Sequence, residues 1–162
     1  MAAPSGVRLA APQPTGPRIA DRAGGRPVLL ATLDVPFDGD AVAFAVDSAV
    51  ELSARLIVAN FVERPPLPLS AMLGYDDLPY TAEMTEALAA PVRRAAESGV
   101  AVTRLRIKSF HPIPAMVQVS AEEGAGIFVF GPDRSQIPRL RYWRAARILR
   151  SGVTSLVWLA PD

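Results

Sequence analysis

Val28-Leu29-Leu30-Ala31-Thr32-Leu33 is an apolar run that does not alternate with polar residues. Such a run suits a strand covered on both faces, as in a parallel sheet flanked by helices. Asp34 closes it. Asp38 and Asp40 then supply helix-start chemistry, and Val42, Val46, Ala49 and Val50 recur at helical spacing up to Ala54. Leu56 to Val62 repeats the buried-strand signal. The first three elements thus read strand, helix, strand.

Outward from that unit the alternation continues. Glu63 to Tyr80 carries Pro65, Pro66, Pro68, Gly74 and Pro79, which exclude regular structure through most of it. A connection of that length is usually functional or mobile. Thr81 can cap a second helix with Met84, Leu88 and Val92 on one face and Gly99 as its stop, and Pro91 inside it predicts either a kink or a split. Val100 to Ile107 alternates in part and reads as a strand near an edge. Pro114 to Glu123 reads as a short helix, Ile127 to Phe130 as a fourth strand, Arg141 to Arg150 as a fourth helix and Leu156 to Leu159 as the fifth strand. Residues 1–26, rich in Pro, Gly and Ala, lack either period and read as a flexible tail before an α/β domain over 27–162.

Strands alternating with helices imply right-handed crossovers. The expected fold is α/β: a doubly wound, mostly parallel five-stranded sheet of order 3-2-1-4-5 with helices on both faces. Ligands of such sheets sit outside the carboxyl ends where the order reverses, here the loops after Leu33 and after Phe130.

Composition narrows the chemistry. The chain has 162 residues, a formal net charge of +1 and no cysteine, which excludes disulfides, thiolate metal sites and cysteine nucleophiles. His111 is the single histidine, so a multi-histidine metal site is excluded and no metal is expected. A near-neutral chain offers no long-range attraction to nucleic acid or an anionic membrane. No apolar run is long enough to span a bilayer, and the first residues lack a secretory core, so the expected compartment is the cytosol.

Over Pro27 to Pro161 the sequence resembles the universal stress protein family. The matching features are the apolar strand ending in Asp34 with its following helix, then Ala115-Met116-Val117-Gln118-Val119-Ser120-Ala121-Glu122-Glu123-Gly124-Ala125 leading into Gly126-Ile127-Phe128-Val129-Phe130-Gly131, and the closing Arg147-Ile148-Leu149-Arg150 before Leu156-Val157-Trp158-Leu159. The resemblance implies ATP between the first and fourth strands, with Asp34 beside the adenosine and backbone near Phe61 flanking the adenine. It also implies a phosphate loop of the form G-x-x-G, nine residues, then G-[ST], whose glycines let backbone N–H groups approach the anion.

Here that segment runs Gly131-Pro132-Asp133-Arg134-Ser135-Gln136-Ile137-Pro138-Arg139-Leu140-Arg141-Tyr142-Trp143. Gly131 keeps the first glycine, Arg134 stands where the second belongs, and the closing small pair falls near Tyr142-Trp143. Pro132 and Pro138 remove donors, and Asp133 adds a repelling carboxylate. The nucleotide crevice is therefore assigned to Asp34, Phe61, Gly131, Arg134 and Arg139, with ATP as the one cofactor left open. The arginines from Arg134 to Arg150 either clamp phosphate in place of the lost amides or form a solvated face.

Asp38 and Asp40 read as helix caps, His111 as a loop residue without catalytic companions, and Trp158 as packing or interface. The resemblance implies a homodimer through Leu156, Val157, Trp158 and Leu159. The expected function is that of a non-enzymatic stress-associated regulatory or interaction protein with ATP binding weak or lost and a protein partner of unknown kind. The alternative is a nucleotide binder whose arginines replace the glycine-rich loop, and slow ATP hydrolysis has no base or metal-ligand set beyond Asp34 to support it.

Overall fold

The burial of alternate side chains on opposite faces of one sheet organises the chain. A computed structural model describes residues 24–66 and 81–160. In these, β1 (Val28–Thr32), α1 (Gly39–Glu51), β2 (Leu56–Glu63), α2 (Ala82–Glu97), β3 (Val102–Ser109), α3 (Pro112–Glu122), β4 (Ile127–Phe130), a 3₁₀ turn (Arg134–Gln136), α4 (Arg139–Gly152) and β5 (Leu156–Leu159) follow in order. The five strands are ordered β3-β2-β1-β4-β5, and every pairing is parallel. The sheet is the one expected.

Leu29, Ala31, Ile57, Phe61, Phe128 and Phe130 point to one face, where Met116 of α3 and Tyr142, Ala146 and Leu149 of α4 cover them. Val28, Leu30, Leu56, Val58 and Val129 point to the other, under Ala41, Ala45 and Val46 of α1 and Ala95 of α2. Two helix layers thus bury the central strands from both sides, which is why those strands read as unbroken apolar runs.

The helix ends follow from local chemistry. The Asp38 carboxylate accepts from the Asp40 and Ala41 N–H groups at 3.0 Å each, capping α1. Thr81 Oγ1 accepts from Met84 N–H at 3.2 Å and starts α2. Gly99 and Gly124 take left-handed backbone just after α2 and α3 (φ +74° and +64°). α2 runs through Pro91 without a split. Pro91 is buried with Leu88 and Ala95 on the face turned to the core, and that packing offsets the missing N–H bond. α3 begins at Pro112, two residues before the expected start, because both prolines fall in the first turn, where N–H groups have no helical partner.

β3 lies at one edge and its residues are half-buried at most. β5 forms the other edge. Trp158 stacks on Phe44 of α1 with ring centroids 5.2 Å apart, which makes it a packing residue of that edge. The expected tail lies outside the described residues up to position 23. Arg26, at its end, donates to the Gly124 and Ala125 carbonyls at 3.1 and 3.0 Å. Residues 67–80 of the proline-rich connection also lie outside the described residues. No helix among the described residues is long and apolar enough to cross a membrane.

Candidate functional site

The order of the sheet reverses between β1 and β4, whose carboxyl ends meet at the Ala31–Phe130 register. After β1 the backbone turns sharply. Asp34 adopts φ +51°, a left-handed conformation that Asp tolerates better than most residues. Its N–H donates to Asn60 Oδ1 at 2.9 Å, and Asn60 Nδ2 donates back to Asp34 Oδ1 at 3.3 Å. Asn60 is a buried amide within the apolar run of β2. Sequence reasoning overlooked it, although a lone polar residue inside a buried strand is the signal that would have found it. Thr32 Oγ1 donates to the Val35 carbonyl at 2.9 Å and completes the turn.

The segment after β4 is stitched to this turn. Gly131 N–H donates to the Ala31 carbonyl, and the Gly131 carbonyl accepts from Asp38 N–H, both at 2.9 Å. Phe37 and Pro132 form an isolated antiparallel bridge, and Asp133 N–H donates to the Pro36 carbonyl at 2.8 Å. A Cβ on Gly131 would lie 2.6 Å from Ala41 Cβ and 2.9 Å from Leu30 Cδ1. The glycine is thus demanded by the close approach of α1.

Beyond the bridge, Asp133 starts the 3₁₀ turn. Its carboxylate accepts from Ser135 Oγ at 2.7 Å, Ser135 N–H at 3.0 Å and Gln136 Nε2 at 3.3 Å. The Ser135 hydroxyl, ahead of its amide and the Gln136 amide, holds the Asp133 carboxyl below its ordinary range despite some desolvation. The Arg134 guanidinium lies 4.8 Å from the Tyr142 ring centroid and 5.8 Å from that of Trp143, a cation–π arrangement. Tyr142 is buried and stacks on Phe130 at 5.4 Å. Arg141, in the first turn of α4, pairs with Glu63 at the carboxyl end of β2.

Gly131 and Asp133 give their N–H groups to the Ala31 and Pro36 carbonyls, Ser135 and Gln136 give theirs to Asp133, and Pro132 and Pro138 have none. The segment therefore folds inward on its own acceptors.

Of the residues assigned from sequence, Asp34 and Gly131 lie in the two stitched loops, and Arg134 lies just beyond on the aromatic pair. The Phe61 side chain is buried under the α3–α4 layer, while its backbone runs in the ladder opposite Ile107 of β3. Arg139 opens α4, exposed to solvent. Asp38 caps a helix, as expected. His111 is exposed at the start of α3, with its N–H donating to Ser109 Oγ at 3.0 Å. A small open cleft lined by Phe37, Val58, Asn60, Leu88, Arg104 and Arg106 lies on the α1–α2 side of β2 and β3. Among the described residues no group of His, Asp and Glu is arranged to hold a metal ion.

The architecture has close counterparts among solved structures. A universal stress protein in complex with cAMP superposes with a TM-score of 0.57 at 18% identity, over 85% of this chain and 98% of that one. This chain has the universal stress protein fold. A universal stress protein family member from Burkholderia pseudomallei shares the fold at 21% identity and TM-score 0.56, over 83% of this chain and 96% of that one. The universal stress protein from Archaeoglobus fulgidus in complex with dAMP does so at 17% identity and TM-score 0.55, over 81% and 94%. No protein-family model matches the chain, and no curated protein matches it by sequence. The likeness lies in the universal stress protein fold.

Proposed function

We propose that this chain is a non-enzymatic regulatory or interaction protein of the cytosolic stress response, built on a nucleotide-binding fold whose phosphate grip has been given up. The observation that carries the reading is the use of the backbone amides after Gly131. Between Gly131 and Pro138, the Gly131, Asp133, Ser135 and Gln136 amides are spent on Ala31, Pro36 and Asp133, and positions 132 and 138 are proline, while Arg134 rests on Tyr142 and Trp143. An anion needs converging unspent donors. Solved counterparts of this fold hold cAMP and dAMP, so the fold is compatible with a nucleotide, and the rewritten segment argues for weak affinity here.

A second reading has one observation in its favour. α4 starts without a side-chain cap and without an acidic residue in its first turn. Its terminal amides and the neighbouring Arg139 suit a phosphate. Calorimetric titration of the full chain with ATP and Mg²⁺, followed by a phosphate-release assay, separates the readings. The proposal expects no saturable heat at micromolar nucleotide. Micromolar affinity abolished by Arg139→Ala establishes the second reading, and phosphate release above a buffer control revives an enzyme.

The proposal includes a homodimer through β5. This edge strand leaves Leu156 64% exposed, and an apolar edge invites pairing with a second copy. Light scattering at micromolar concentration in high salt should give twice the chain mass, and the mass of one chain overturns this part.

A further inference from the structure

The two helix layers carry opposite charge. α1 holds Asp40, Asp47 and Glu51 and no basic residue, while α4 holds Arg139, Arg141, Arg144, Arg147 and Arg150 and no acidic one. These charges are arranged on helix faces. At 3.6 residues per turn, Asp40, Asp47 and Glu51 fall on one side of α1, beside Val50. Leu140, Arg144, Arg147 and Ile148 fall on one side of α4, opposite the buried Tyr142, Ala145, Ala146 and Leu149. Both faces are exposed and both retain large aliphatics in water: Val50 is 49% exposed, Leu140 63% and Ile148 45%.

Most of these charges have no ion-pair partner within the chain among the described residues. Among the described residues the ion pairs are Arg55–Glu123, Arg93–Glu86 and Arg141–Glu63, and none involves Asp40, Asp47, Glu51, Arg144 or Arg147. With a net charge of +1, the molecule is close to neutral as a whole and polarised across its sheet.

We infer that the α4 face of one copy docks on the α1 face of another, Arg144 and Arg147 meeting Asp47 and Glu51 around Leu140, Ile148 and Val50. A polyanion or acidic protein would use the arginine face and leave the acidic face of α1 without a role. A second copy uses both. α1 and α4 cover opposite faces of the sheet, so one neighbour cannot engage both at once. The contact is head-to-tail and propagates from copy to copy as a row, open or closed into a ring. Each exposed ion pair contributes at most about 1 kcal/mol, so the rows are weak, concentration-dependent and sensitive to salt. The β5 edge is not involved, and its pairing would cross-link rows without altering them.

The test is sedimentation and light scattering of the full chain between about 0.01 M and 1 M salt, over which the screening length contracts from about 30 Å to about 3 Å. The expected result is at least a roughly twofold rise in weight-average mass at low salt over the high-salt value. Two charge-reversed chains sharpen it: Arg144→Glu with Arg147→Glu, and Asp47→Arg with Glu51→Arg. Circular dichroism first establishes that both remain folded, as expected for exposed positions. Each alone should lose the low-salt rise, since its two faces now repel. An equimolar mixture should regain it, since each reversed face meets its complement. A mass independent of salt, variants that associate like the parent, or a mixture no heavier than its components overturns the inference. Binding to heparin without self-association also overturns it and transfers the arginine face to a polyanion.

Discussion

Two short connections leave the sheet at the same point, residues 33–38 after β1 and 131–138 after β4, and they are built on different principles. The first is made of general turn and cap chemistry: a left-handed Asp34 steadied by Asn60, then Asp38 capping α1. The second is made for its surroundings. Gly131 is pressed against Ala41, Pro132 bridges to Phe37, Asp133 ties down its own turn, and Arg134 settles on Tyr142. The difference teaches that one connection at this pole is set by local chemistry and the other by long-range packing. The β1 turn is held by side-chain caps, whereas the β4 segment turns its Gly131 and Asp133 amides inward onto the carbonyls of the neighbouring connection.

The strongest way to break this contrast is to remove its anchor. Tyr142→Ala should destabilise the chain by about 3–5 kcal/mol, the range for truncating a buried aromatic. A loss below about 1 kcal/mol in urea unfolding would mean that Tyr142 does not anchor this packing. Gly131→Val comes next. Its branched side chain would meet Ala41 and Leu30 inside van der Waals contact, for a cost of about 1–3 kcal/mol from overpacking. A neutral result would return Gly131 to a ligand-facing role. Smallest is the comparison of the two aspartates. Asp38→Ala should cost about 1 kcal/mol at neutral pH by uncapping α1. Asp133→Ala should cost less, because its turn is short and largely exposed. Its effect should depend on pH with a definite sign. The folded-state carboxyl is held below its ordinary value, so its contribution is complete above about pH 4 and disappears as pH falls through the folded value. A difference between parent and Asp133→Ala that grows on acidification would contradict the hydrogen-bond account.

Legibility in the sequence divides along the same line. β1, β2 and β4 announce themselves as apolar runs because helices cover both their faces, and Asp38 and Thr81 mark helix starts because a cap acts within three residues. Their alternation was enough to give the order β3-β2-β1-β4-β5. The fate of Pro91 was not legible, since it rests on burial beside Leu88 and Ala95. The meeting of the loops after β1 and β4 followed from the strand order alone. Their stitching was not legible, because the Asn60–Asp34 pair, the Phe37–Pro132 bridge and the Arg141–Glu63 pair each join residues far apart in the chain. Nothing in the local pattern of Tyr142 distinguishes a side chain stacked on Phe130 from one turned to solvent.

The Asp38 and Asp133 amide hydrogens are each held by a carbonyl of the opposite connection. Neither strand extension can peel away by itself, so this pole of the molecule breathes as one piece. In heavy water the two positions should trade their protons at a shared pace, set by one common opening event.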